Sequence, residues 1–392
     1  MSLQHSTETS HWWGPQFLLV SACMFLVCIS LNAILPALPL LVENLTRRTD
    51  EAGFVTGAFS AGAVTLELQT FRLLKRWPAN RVLSVGFSFT TLAMIGFALA
   101  ESLWLLVVLG TIFGFGFGIV VAATAAMVSD LAPEDKRGRA FGIYGLAATV
   151  PLIVSPAVAL ILVSRFGIRS VFWVFSASCL LGLIASWRTA DAPQPSEQVL
   201  QLQGRMLNRR LVVLFAALAC FSFTYGGVVS FTAFVAPGSG LSSAAAFFFA
   251  AGLCRVVFRS VSGPLLDRID ERWVIIPSLV AGAAGLVLLT FGGIPWVVLA
   301  GGLYGAGYGM AQTASILAML QGIPRTAAAV VSGWWNFAVD GGIGIGALTL
   351  APLAAWLGYR SMFLVLAGVL IGVVALRAIE GQLATPNGQI PA

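Results

Sequence analysis

Charge is what this sequence most lacks. Only 10% of its 392 residues are Asp, Glu, Lys or Arg, where a soluble domain carries about 25%. With 58% apolar residues, a surface this poor in charge would precipitate in water, so lipid is the expected solvent. Histidine is nearly absent: His5 and His11 both lie in the polar opening segment. The five cysteines, Cys23, Cys28, Cys179, Cys220 and Cys254, sit in apolar runs with no C-x-x-C pair. They read as small buried hydrophobes, not as a disulfide framework or a zinc site. No P-loop occurs, so ATP hydrolysis is not implied, and no His, Cys or acidic cluster offers a metal site. No enzymatic activity and no cofactor are expected. The net charge is +6, but the 22 basic residues are scattered among apolar runs without an aromatic–basic patch. A nucleic-acid partner is therefore not expected.

What is present is a series of long apolar runs, near residues 15–41, 52–71, 82–100, 103–130, 139–163, 168–187, 211–235, 241–262, 273–293, 296–320, 327–350 and 361–378. Each is long enough for one membrane-spanning helix of about 20 residues. None shows the ten-residue alternation of barrel strands. The first fourteen residues hold no Lys or Arg, and the run after them is too long for a signal core, so it reads as a retained first span. The expected class is an all-α integral membrane protein with twelve transmembrane helices.

Orientation follows from Lys and Arg. The even-numbered connections and the tail hold Arg72, Lys75, Arg76, Arg81, Lys136, Arg137, Arg139, Arg188, Arg205, Arg209, Arg210, Arg268, Arg272, Arg325 and Arg377. The odd connections hold Arg47, Arg48, Arg165, Arg169 and Arg360. Fifteen against five places both termini in the cytoplasm. An error of one helix would scramble that parity.

The longest polar break, residues 188–210, divides the chain into halves. The expected organisation is a cytoplasmic tail 1–14, a six-helix bundle 15–187, a cytoplasmic linker 188–210, a second six-helix bundle 211–378 and a tail 379–392. An internal repeat supports it. Gly110, Gly114, Gly116 and Gly118 match Gly301, Gly305, Gly307 and Gly309 at an offset of 191, and FRLLKR from Phe71 matches GPLLDR from Gly263 at an offset of 192. Repeated halves of parallel topology are a transporter architecture, with the substrate site between them near the midplane.

Twelve helices, a middle loop and the G-x-L-x-D-R run Gly263–Arg268 resemble the major facilitator superfamily over roughly residues 15–380, in its drug and metabolite efflux-like branch. The run from Pro133 to Gly142 is similar to that family's P-x-x-x-R-G-x-A-x-G pattern. The chain departs from the family's proton-driven drug exporters at two places. Gly110 stands where they carry an Arg in helix four, and SPAVAL, residues 155–160, stands where they carry G-P-x-x-G-G. The resemblance implies that Gly263, Asp267 and Arg268 latch the cytoplasmic side, with Asp267 capping the start of helix five near Gly138. A carboxylate at a helix N-terminus is stabilised by ~0.3–1 kcal/mol. In the first half Phe71 and Lys75 replace the Gly and the Asp while Arg76 remains, which predicts an asymmetric latch with Lys75 and Arg76 as its degraded half.

Charges inside a bilayer cost at least ~2.5–3.5 kcal/mol each on insertion scales. Four such residues are expected: Glu67, Arg255, Arg259 and Asp340. Asp340 is the leading proton-coupling candidate and Glu67 the second. The alternatives are a permanent Asp340–Arg pair and a Glu67 salt bridge to a nearby loop. Arg255 is expected to pair with Asp340 or to bind an anionic substrate group, and Arg259 to belong to the gate. Asn32, Tyr225, Arg255, Tyr304, Tyr308, Gln312, Trp335 and Asn336 are the candidates to face a central cavity, a set that suits an amphipathic ligand.

The expected function is a monomeric secondary transporter of the bacterial inner membrane. It would work by alternating access, with a small amphipathic substrate, protons and lipid as partners, and proton-coupled export as the direction. Uptake of a small organic anion anchored on Arg255 is the alternative within transport. A non-transporting membrane receptor or scaffold is the alternative from another class.

Overall fold

The computed structural model describes residues 14–48, 51–131, 137–190, 209–235, 240–266, 268–321 and 328–383. Among them the chain is helical, with no strand. The helices are α1 (Pro15–Thr46), α2 (Ala52–Arg76), α3 (Ala79–Leu99), α4 (Leu103–Leu131), α5 (Arg137–Phe166), α6 (Arg169–Ser186), α7 (Arg209–Val235), α8 (Gly240–Leu266), α9 (Arg272–Leu289) and α10 (Ile294–Leu320). The last helical stretch, Ala328–Leu383, is broken at Gly358, whose φ is 76°. It therefore forms α11 (328–357) and α12 (359–383).

Where the helices stop follows local chemistry. Gly167 between α5 and α6, Gly292 and Gly293 between α9 and α10, and Gly358 all carry positive φ, a conformation that costs a residue with a Cβ. The second helix runs five residues beyond its expected end at 71. FRLLKR is its last turn and a half, not a connecting loop. No breaker intervenes before Pro78, and Lys75 and Arg76 complement the negative end of the helix. Likewise Gly263–Leu266 closes α8.

Nine helical stretches among the described residues are long and apolar enough to cross a membrane, one of them spanning the break at Gly358. α2 and α10 are not among them: α2 carries Glu67, Arg72, Lys75 and Arg76, and α10 is diluted by five glycines. Outward faces are apolar, with Leu92, Leu99, Val154, Ile161, Leu181 and Ile345 exposed. Aromatic side chains stand uncovered at helix ends, led by Trp356 at 82% and Trp104 at 77% exposure, with Trp187, Trp273 and Phe166 behind them. This is the interfacial belt of a multi-pass membrane protein.

Two apolar cores form, one running from Phe17 to Cys179 and the other from Leu160 to Leu370. The helix pairings of the first recur in the second. α2 packs on α4 as α8 on α10, and α3 on α4 as α9 on α10. α1 packs on α5 as α7 on α11, and α3 on α6 as α9 on α12.

The glycine repeat has a direct packing counterpart. A Cβ on Gly110, Gly114 or Gly118 would press into the α2 backbone at Val55, Phe59 and Ala63; on Gly301, Gly305 or Gly309 it would press into α8 at Phe247, Ala251 and Arg255. Gly116 lies against Gly86 and Thr90 of α3, and Gly307 against Ser278 and Gly282 of α9. Every partner in the second half lies 192 positions after its counterpart in the first. The two sets meet through α2 with α11, α5 with α8, and α1 with α7.

Candidate functional site

α2 and α11 run antiparallel where the two sets of helices meet. Gly53 lies against Ala347 and Ala351, Gly57 against Leu348, and Gly344 against Ser60. Farther along the same seam Asn336 Nδ2 donates to Glu67 Oε1. Glu67 is only 6% exposed and accepts this hydrogen bond across the seam; among the described residues no loop base pairs with it. Asp340 lies one helical turn beyond Asn336 on α11. Tyr144 of α5 is buried close by and shares a 2.7 Å hydrogen bond with Thr124 of α4.

On the opposite seam, α5 crosses α8 at Gly252, which sits directly on the carbonyl of Leu152. Pro156 removes the intrahelical hydrogen bond that this carbonyl would otherwise accept. Beside the crossing opens a narrow cleft. Asn32, Leu35 and Pro36 of α1, Leu152 and Pro156 of α5, and Tyr225 of α7 line it, together with Phe247, Phe248, Ala251, Gly252 and Arg255 of α8 and Gly305 and Tyr308 of α10.

Among the described residues, Arg255 is the one charged residue of that lining. Its Nη2 donates to Gln312 Oε1 at 2.7 Å. Its guanidinium carbon lies 4.5 Å from the Tyr308 ring centroid and 5.4 Å from that of Tyr225, and each such cation–π contact is worth ~0.5–2 kcal/mol. The rings are themselves stacked, 4.8 Å apart. Ser222 holds the Tyr308 hydroxyl at 3.0 Å and Thr224 holds that of Tyr304 at 2.9 Å. Trp335 Nε1 donates to the Gln312 carbonyl at 3.2 Å, and Asn32 Nδ2 to the Cys28 carbonyl at 2.8 Å.

The sequence candidates therefore divide. Asn32, Tyr225, Arg255 and Tyr308 line the cleft. Tyr304 and Gln312 are buried behind it, Trp335 braces Gln312, and Asn336 belongs with Glu67 on the other seam. Asp340 forms no ion pair with Arg255 or Arg259 among the described residues. Of the gate candidates, Arg76 and Arg268 are exposed and Lys75 and Arg259 half-buried. Gly263 lies in the last turn of α8, while Asp267 falls outside the described residues. Sequence reasoning missed Pro36, Leu152, Pro156, Phe247, Phe248, Thr124 and Tyr144. The prolines inside apolar runs were the available signal; nothing local marks Thr124.

A multi-pass helical protein with a cleft where two apolar cores meet has the architecture of a membrane transporter. The Major Facilitator Superfamily model matches residues 20–347 and 256–389, and the chain belongs to that family. It is 26% identical over 381 residues to the multidrug resistance protein MdtG of Citrobacter koseri, covering 88% of this chain and 90% of that one. A probable sugar efflux transporter of Helicobacter pylori is 24% identical, with 81% of each covered. The multi-drug resistance efflux pump PmrA homolog of Lactococcus lactis is 30% identical over 182 residues, 45% of this chain and 44% of that one. The nucleoside transporter NupG superposes with a TM-score of 0.76 at 14% identity over 95% of this chain and all of that one.

Proposed function

We propose that this chain is a secondary transporter that exports a small amphipathic molecule across the bacterial cytoplasmic membrane, coupled to protons. It would alternate between inward- and outward-open states of two bundles, 15–187 and 211–378, joined by a cytoplasmic linker 188–210, with both termini in the cytoplasm. Relatives named as multidrug and sugar efflux proteins support export. The observation that carries proton coupling is the Glu67–Asn336 contact, with Asp340 one turn away. Two carboxylates that meet in one water-poor seam share their protons. Moving a proton on or off Asp340 or Glu67 changes which hydrogen bonds the seam can make, and so whether α2 and α11 part. On the cytoplasmic face Gly263, Asp267, Arg268 and Arg259, with Lys75 and Arg76, would form the gate.

The test is proton movement in vesicles loaded with a pH-sensitive dye. Addition of a transported compound should discharge an imposed gradient. Asp340→Asn should reduce that flux to the level of protein-free vesicles while leaving compound binding intact. Full gradient-driven flux in Asp340→Asn would remove Asp340 from the coupling path.

A further inference from the structure

We infer that the cleft is built for an amphipathic organic anion, an acid with a flat apolar body, and that Arg255 is its charge anchor. This rests on the reading of the cleft as the transported molecule's site.

The argument begins with what surrounds Arg255. Among the described residues no acid lines the cleft, and neither Arg255 nor Arg259 has an ion-pair partner. Arg255 is held by neutral groups alone: one amide oxygen and two ring faces. These orient the guanidinium without neutralising it. Its Nε is buried and has no hydrogen-bond partner among the described residues, which leaves an unsatisfied donor on a residue that lines the cleft. A guanidinium carries its donors in one planar fork, and that fork matches the geometry of a carboxylate or other oxyanion.

Arg259 lies one helical turn from Arg255 and close enough to repel it, so the local field is positive over two turns of α8. A cation entering the cleft would meet like charge in a medium poorer in screening than water. Apart from Asn32 and the tyrosine hydroxyls, the rest of the lining is apolar. Phe247, Phe248, Pro36, Pro156 and Leu35 line the cleft together with the tyrosines, which suits an aromatic or alicyclic body.

The test uses purified protein in detergent and matched trios of one- and two-ring compounds: an acid, its neutral amide and the corresponding amine, such as 1-naphthoate, 1-naphthamide and 1-naphthylmethylamine. Saturable binding of the acid is expected, with the amide weaker and the amine weakest. Arg255→Gln should weaken acid binding about tenfold or more, as for a lost charged hydrogen bond, and should narrow the gap between acid and amine. Arg255→Lys keeps the charge without the planar fork and should fall between. It also serves if Arg255→Gln does not fold. Amine or amide binding as tight as the acid's, no saturable acid binding, or unchanged acid affinity in Arg255→Gln would each overturn the inference. Acid binding that depends on Arg255 without any proton flux would leave it standing and remove the coupling proposed above. Proton flux driven by amines alone would do the reverse.

Discussion

Asn336 is the smallest unit on which the proposed coupling turns. Its amide donates to the Glu67 carboxylate from the other half of the chain, and a hydrogen bond to a charged group contributes ~1.5–3 kcal/mol. Asn336→Ala leaves that carboxylate buried without its donor. The expected outcome is a lower unfolding temperature in detergent together with loss of gradient-driven flux. Glu67→Gln should keep the fold, because a glutamine oxygen still accepts from Asn336. Flux under an imposed pH gradient then separates the roles. Glu67→Gln with wild-type flux would make Glu67 a structural partner, and flux lost at wild-type stability would make it part of the proton path. On the other seam Tyr308→Phe removes only a hydroxyl shared with Ser222 and keeps the ring under Arg255, so cleft binding should survive it.

At the scale of elements, α5 crosses α8 closely beside the cleft. Gly252 rests on the Leu152 carbonyl, and a valine there has no room unless the helices separate. Overpacking of this kind costs ~1–3 kcal/mol. Gly252→Val should bias the protein toward a state in which α5 and α8 are apart, read as faster labelling of a cysteine placed at Leu152. Unchanged labelling would show that the crossing is not a moving contact. The helices themselves were largely legible in the sequence, because apolar runs of about twenty residues have few other uses. Their ends were less so: α2 runs through FRLLKR, and α1 through to Thr46, since neither meets a breaker where its apolar run ends. The cleft was half legible. Polar and aromatic residues inside spans stand out, as Arg255, Tyr225, Tyr308 and Asn32 did. Which of them face one another depends on helix rotation, which a run apolar on all sides does not reveal. Tyr304 and Gln312 turned behind the cleft, and Asn336 toward Glu67, for that reason.

At the scale of the molecule, the intramembrane charges are segregated by sign. Glu67 and Asp340 belong to the α2–α11 seam, while Arg255 and Arg259 lie on α8, which faces α5. In the proposed transport cycle, proton chemistry and substrate charge would fall on different contacts between the two sets of helices, so that movement of one set would change both. Spin labels report on this. With the five native cysteines replaced, a pair at Thr65 of α2 and Val108 of α4, both exposed, should hold a constant separation. A pair at Trp77 and Trp273, at the ends of α2 and α9, should change separation between low and high pH. A constant Trp77–Trp273 distance across pH and bound acid would exclude alternating movement of the halves.

The glycine seam has a consequence for how such a protein changes over generations. Helices α2 and α4, and α8 and α10, are held together by main-chain atoms, which every residue type possesses, meeting at positions that carry no side chain. The scaffold therefore places little demand on the chemistry of its neighbours. Cleft residues can be exchanged for others without the frame having to be rebuilt, and a chain sharing 14% of its residues with NupG can still superpose on it along nearly its whole length.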